Sequence, residues 1–244
     1  MKIALITGSA IRIGSEIANY LISNHWKVII HYNKSKAQAL KFISEIREQH
    51  TYAEIYAKKA DFNNENEIRE LIQSINNEIG QIDLLINNAA VFENDNIDNF
   101  KPSNLNKHMN VNLLAPIILI QEFKNQYTGN EGNIINMLDY CVEKLPDKFF
   151  SYTISKSALW TVTKMLAPLI APNIRINAIG PGPVLTLRQS PENFHKACMN
   201  TPLKKGSTID EICNTIGYIL KTPSLTGQHI MLDSGRHLSN YEYM

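Results

Sequence analysis

Three features of the sequence predict an open α/β fold: a doubly wound, mostly parallel sheet of seven strands. Short apolar runs of β type alternate with longer segments of helical period almost from end to end. Several short runs lack polar alternation, the pattern of strands buried on both faces of a parallel sheet. No linker, internal repeat or second composition regime interrupts the 244 residues, so 1–244 reads as one domain. A domain of this length buries about three quarters of its unfolded surface and needs no covalent staples.

The first strand is Ile3–Thr7, and a helix follows over 13–24. Lys27–His31 is the second strand, leading to a helix over 36–49. There Leu40, Ile43 and Ile46 keep one face apolar while Lys41, Glu45 and Glu48 stay outside. Ala53–Lys58 precedes a helix over 65–79, and Leu84–Asn87 precedes one over 103–126. Gly132–Met137, a helix over 151–170, Arg175–Ile179, a helix over 208–220 and His229–Leu232 complete the series. Such βαβ units join by right-handed crossovers. Gly180–Gly206 breaks the rhythm with Pro181, Pro183, Pro191 and Pro202, and leaves room only for a short helix around Pro191–Met199. Its place after a late strand marks it as a substrate loop, because ligands of such sheets sit at the carboxyl ends of the strands.

Composition removes several function classes. Twenty-four Lys and Arg stand against 23 Asp and Glu, a net charge of +1, so no basic field exists for nucleic acid or an anionic membrane. A hydrophobic content of 44% excludes disorder. The 3 cysteines form no CxxC pair, which suits a reducing compartment rather than a disulfide scaffold. The apolar run after Met1-Lys2 is too short for a signal-peptide core, and no segment reads as a membrane span. The cytoplasm is the expected location. The 7 histidines show no HxxxH pair and no cysteine partners, so no metal site is expected. His108 reads as a helix-surface histidine, Cys141 as a buried structural thiol, and Tyr241 and Tyr243 as a loose tail or a contact to a neighbouring subunit.

Three groups of residues carry chemistry. Thr7-Gly8-Ser9-Ala10-Ile11-Arg12-Ile13-Gly14 follows the first strand and opens the first helix. Gly8 can take the backbone angles of a tight turn, Gly14 allows close helix–sheet approach, and the helix N-terminus offers N–H groups to a pyrophosphate. After the second strand, no Asp or Glu occurs between Glu16 and Glu45 to accept from a ribose 2′-OH. Tyr32, Asn33, Lys34 and Ser35 instead suit a 2′-phosphate, or form an ordinary polar turn; with the first turn added, NADPH is the expected cofactor. Tyr152 and Lys156 lie four apart on one helix face, where an ammonium can stabilise the phenolate of an acid–base tyrosine.

Taken in order, these motifs resemble the short-chain dehydrogenase/reductase family. They are TGxxxRIG at 7–14, Asp61, Asn87-Asn88-Ala89-Ala90, Asn110 within His108–Asn112, Tyr152/Lys156 and Pro181-Gly182. The likeness covers essentially the whole chain and implies a Rossmann-type fold. It also implies that Ile13 and Ala89 join the cofactor site, that Asp61 contacts the adenine, and that Asn88 lines the site. Asn110 would hold a water in a proton relay, Tyr152 and Lys156 would be the catalytic pair, and Pro181-Gly182 would flank the nicotinamide. A homo-oligomer, dimer or tetramer, would form through the helices at 103–126 and 151–170.

The sequence departs from the common family pattern in two places. Asp139 stands thirteen positions before Tyr152, where most members carry a serine, and Arg12 occupies the glycine motif. Together with His31–Ser35 these resemble the pteridine reductase branch, in which the position of Phe92 stacks a pterin. Asp139 could accept from a pterin's N–H groups or cap a loop, and Phe92 could stack a ligand or pack in the core. Arg12 is expected to contact cofactor and substrate together. Ala90 departs from the serine common in that branch. The expected function is therefore NADPH-dependent reduction of a pterin-like small molecule, with Asn110, Asp139, Tyr152 and Lys156 catalytic. A reductase of a 3-oxoacyl thioester or small ketone is the alternative, and an NADPH-binding regulatory protein without turnover is the alternative of another class.

Overall fold

The computed structural model describes residues 1–184 and 190–239. Residues 185–189 of the expected substrate loop, and Tyr241 and Tyr243, lie outside the described residues. The elements run β1 (Ile3–Ile6), α1 (Ile13–Ser23), β2 (Lys27–Tyr32), α2 (Lys36–Gln49), β3 (Ile55–Lys59), α3 (Glu65–Glu78) and β4 (Leu84–Asn87). They continue with α4 (Pro102–Met109), α5 (Ala115–Gln126), β5 (Gly132–Met137), α6 (Phe150–Ile170), β6 (Ile174–Pro181), α7 (Pro191–Met199), α8 (Ile209–Lys221) and β7 (His229–Leu232).

The seven strands form one sheet in the order β3-β2-β1-β4-β5-β6-β7, and every pairing is parallel. The strand order reverses at β1, between β2 and β4, and that switch point opens a crevice at the carboxyl ends of the central strands. Side-chain alternation along β1 explains the two-sided core. Ala4 and Ile6 pack with Ile17, Leu21 and Ile22 of α1, Ile43 and Ile46 of α2, and Ile212, Ile216 and Ile219 of α8. Ile3 and Leu5 pack on the other face with Ile68, Leu71 and Ile75 of α3, Leu119 and Phe123 of α5, and Ala167 and Ile170 of α6. Each fully buried Ile, Leu or Phe side chain among these contributes about 1.5–3 kcal/mol.

Three details differ from the sequence reading. On α2 the buried stripe is Ala39, Ile43 and Ile46, whereas Leu40 is exposed, because the stripe slants one position off the expected face. The helix expected over 103–126 is interrupted by a π-turn, Asn110–Leu114, in which the Ala115 N–H donates to the Asn110 carbonyl. β6 extends through Gly180 and Pro181, so the substrate loop starts later than expected. Helix ends are fixed locally: Thr208 and Glu211 form a reciprocal capping box on α8, and Asn64 accepts from the Asn66 N–H to start α3. Among the described residues no helix is long and apolar enough to cross a membrane.

Candidate active site

A cavity of about 880 Å³ lies along the carboxyl ends of β1, β2, β4, β5 and β6. At one end the chain leaves β1 through Gly8, whose φ of +61° is open to glycine at no steric cost. A Cβ on Gly8 would come within 2.8 Å of the Ala89 Cα, and one on Gly14 within 2.7 Å of the Ser9 Cα and 2.8 Å of the Asn88 Nδ2. Arg12 also has a positive φ, 61°, and α1 starts directly after it with no side-chain cap. The first N–H groups of α1 therefore meet a cavity wall made of Gly8, Ala10, Ile11, Arg12, Ile13 and Gly14, a cradle that fits a pyrophosphate.

Hydrogen bonds from β4 hold this turn. Thr7 Oγ1 accepts from the N–H of Asn88 at 3.0 Å and of Ala89 at 2.9 Å. The Asn88 amide donates to the carbonyls of Thr7 at 2.9 Å and Gly8 at 3.2 Å, so Asn88 shapes the cradle as well as lining it. Beyond β2, the cavity is lined by Tyr32, Asn33, Lys34 and Ser35, and opposite them by Asp61, Phe62 and Asn63. The Asn33 amide donates to Asp61 Oδ1 at 3.1 Å. Hydrogen bonds from Asn63 and Asn33, together with the Lys34 charge, hold the Asp61 carboxyl below its usual range.

The other end of the cavity is built by β5 and α6. Tyr152 is buried and its hydroxyl donates to Asp139 Oδ2 at 3.2 Å. Asp139 also accepts from the Cys141 N–H at 3.0 Å, so it caps the following turn and faces the tyrosine at once. Burial raises the Asp139 carboxyl, against the pull of the Cys141 N–H and the Lys156 charge. Lys156 Nζ donates to the Met137 carbonyl at 2.6 Å and lies 5.8 Å from the centroid of the Tyr152 ring. Burial lowers the Lys156 ammonium to about 8. The expected stabilisation of a phenolate does not dominate here: burial and the neighbouring Asp139 raise Tyr152 well above its ordinary value. Both effects favour the neutral phenol, whose proton points at Asp139.

The sequence-derived residues converge on this one cavity, Pro181 and Gly182 included, with one exception. Asn110 is not among the lining residues; the π-turn presents Val111 there and buries Asn112. The Asn112 amide donates to the Val91 carbonyl at 2.9 Å and to Ser155 Oγ at 3.0 Å, and its Oδ1 accepts from the Val91 N–H at 2.8 Å. It thus ties the loop after β4 to the face of α6 that carries Tyr152 and Lys156, a structural link distinct from the water-holding role expected of Asn110. His108 is also corrected. It is fully buried, with Nδ1 donating to the Asn104 carbonyl at 2.8 Å and Nε2 accepting from the Glu93 N–H at 3.3 Å.

One further anchor escaped the sequence reading. Buried Asp95 accepts from the Ser151 N–H at 3.0 Å and from Asn104 Nδ2 at 2.8 Å, capping α6 from a loop far away in sequence. Phe92 stacks on Phe149 with centroids 4.5 Å apart and meets the Tyr152 ring edge-on at 4.7 Å. Cys141 is buried as expected, and its burial pushes the thiol far up. No group of three metal-binding side chains occurs among the described residues.

The family model described as Enoyl-(Acyl carrier protein) reductase matches residues 8–237. The chain belongs to the short-chain dehydrogenase/reductase family. This reductase-family chain is 37% identical to FolM alternative dihydrofolate reductase 1 from Brucella suis, whose crystal structure is in complex with NADP. The two superpose with a TM-score of 0.91 over 98% of this chain and 96% of that one. It is 26% identical over 239 residues to the dihydromonapterin reductase of Enterobacter sp. (strain 638), covering 96% of each chain. It is likewise 26% identical over 244 residues to the 3-oxoacyl-[acyl-carrier-protein] reductase FabG of Staphylococcus epidermidis, covering 97% of this chain and 99% of that protein.

Proposed function

We propose that this short-chain reductase uses NADPH to reduce a pterin-like substrate of the dihydropterin or dihydrofolate kind. One observation carries the reading: a single cavity joins the glycine-turn cradle to the Tyr152–Asp139 hydrogen bond. The NADP of the Brucella suis structure and the pterin named for the Enterobacter protein support it. Gly8, Ile13, Gly14 and the first N–H groups of α1 would hold the pyrophosphate. Tyr32, Asn33, Lys34 and Ser35 would hold the 2′-phosphate, with Asp61 beside the adenine and Pro181-Gly182 beside the nicotinamide. When bound, the reduced nicotinamide supplies a hydride.

The residues of the chain supply the proton and the binding. Tyr152 donates its hydroxyl proton to the substrate. Asp139, raised by burial, can return a proton to that oxygen or accept from substrate N–H groups. Lys156 keeps a positive charge beside the pair and limits how far Asp139 rises. Phe92 and Phe149 give a flat aromatic wall against which a planar ring packs. Asn112 and Asp95 fix α6 relative to that wall.

Steady-state NADPH oxidation with a dihydropterin, dihydrofolate and an acetoacetyl thioester tests the substrate class. The highest kcat/KM is expected for a reduced pterin; a clear preference for the thioester moves the protein to the ketone reductases. Tyr152→Phe is expected to lower kcat by about a thousandfold with NADPH affinity unchanged. An active Phe variant removes the tyrosine from the reaction. The three cysteines are buried free thiols, in keeping with a cytoplasmic enzyme. Exposed Leu114 at the start of α5, with Ile154, Met165 and Leu169 on α6, is in keeping with a homo-oligomer. Light scattering that gives the mass of one chain removes that part.

A further inference from the structure

His31 lies near the end of β2, where the sequence placed the last residue of the second strand, and its side chain is almost fully buried. Its Nε2 is 3.0 Å from the Ala60 carbonyl. A carbonyl only accepts, so Nε2 carries the proton and Nδ1 is left with a lone pair. That lone pair accepts from the Gly8 N–H at 3.0 Å. The His31 main-chain carbonyl accepts from the next N–H, that of Ser9, at 3.1 Å. The ring itself is clamped against Phe62, with centroids 4.2 Å apart and planes 3° from parallel.

Side chain and backbone of one residue therefore grip two successive N–H groups of the turn that leaves β1. The same imidazole reaches across to the end of β3, beside Asp61. From this geometry we infer that His31 is a positioning residue for the dinucleotide. Its neutral, Nδ1-accepting tautomer sets the Gly8–Ser9 orientation that forms the pyrophosphate cradle. The inference rests on the NADPH reading above. His31 acts through Gly8 and makes no claim on the reacting atoms.

The two nitrogens can be tested separately. His31→Asn places an acceptor near the position of Nδ1, whereas His31→Gln reaches toward Nε2 and leaves the Gly8 N–H unpaired. NADPH binding is measured by fluorescence titration, beside adenosine 2′-monophosphate, which carries the adenine and 2′-phosphate but no pyrophosphate. The Gln variant is expected to bind NADPH about tenfold more weakly, and the Asn variant within about threefold of the unaltered chain. Both are expected to bind adenosine 2′-monophosphate as the unaltered chain does. At saturating NADPH the kcat of the Gln variant is expected to be unchanged, so the effect appears in KM alone. Because the nucleotide titrates the folded fraction, a loss of both ligands in parallel overturns the inference in favour of general destabilisation. Unchanged NADPH binding in the Gln variant overturns it as well. An unaltered chain that binds neither ligand overturns the cofactor reading itself, and the inference with it.

Discussion

The two ends of the cavity are built by different means. At the glycine-turn end, strand termini are cross-linked through buried polar groups. Thr7 and Asn88 join β1 to β4, and His31 joins β1 to β2 and β3. At the Phe92 end, contacts come from loops, an aromatic stack and α7, and Phe92 itself is 50% exposed. A site framed by strands and satisfied hydrogen bonds has one geometry, because any shift leaves a buried donor or acceptor unpaired. A site framed by stacked side chains can be repacked at modest cost. The contrast explains how one sheet can keep a constant nucleotide and exchange its substrates among relatives.

Three perturbations would break or sharpen that contrast. The largest concerns the buried imidazole. His31 titrates at about 4 in the folded chain, below its ordinary 6.5, because burial disfavours the charged ring despite nearby Asp61. The unfolded chain therefore binds the extra proton first. Stability is whole above pH 6.5 and falls as pH drops toward 4, by about 3 kcal/mol. Urea midpoints for the unaltered chain and His31→Asn are expected to converge across that window; parallel pH profiles would mean that the ring pays no such cost. Next, Gly14→Ala pushes a methyl into the Ser9 backbone and the Asn88 amide. A loss of NADPH affinity of about a hundredfold is expected in a titration, and a tolerant variant would show the rigid end to be soft. Smallest is Phe92→Ala, which removes the outer ring of the stack. The KM for the pterin is expected to rise about tenfold with NADPH affinity intact. A loss of NADPH binding instead would show that the two ends are mechanically one.

Much of the fold is legible in the sequence, because strands buried on both faces write continuous apolar runs such as Ile3–Ile6 and Leu84–Ile86. The candidate site is legible where residue type alone limits the choice, as at Gly8, Gly14, Tyr152 and Lys156. Asn112 is not legible in this way: the motif likeness points to Asn110, and only the π-turn over Asn110–Leu114 shows that Asn112 is the residue held against Val91 and Ser155. His31 and Asp95 were missed because their partners, Gly8 and Ser151, lie 23 and 56 positions away. Spacing alone shows an ammonium near Tyr152 but cannot show the burial that raises its hydroxyl.

The position of β1 has a consequence for the order of events as the chain folds. Its neighbours are β2 on one side and β4 on the other, so Leu5 pairs with both Ile29 and Leu85. The Ile3 N–H meets the Asp83 carboxylate across 80 positions. During synthesis, β1 through β3 can assemble as a unit open along one edge. The cradle is finished only when the segment from Leu84 to Ala89 arrives and Thr7 receives its two donors. Pairings this distant close slowly, since the entropy of the intervening loop is lost before the contacts form. A nucleotide that binds this cradle therefore recognises a chain whose sheet has already closed at its centre, and its binding energy adds only to that state.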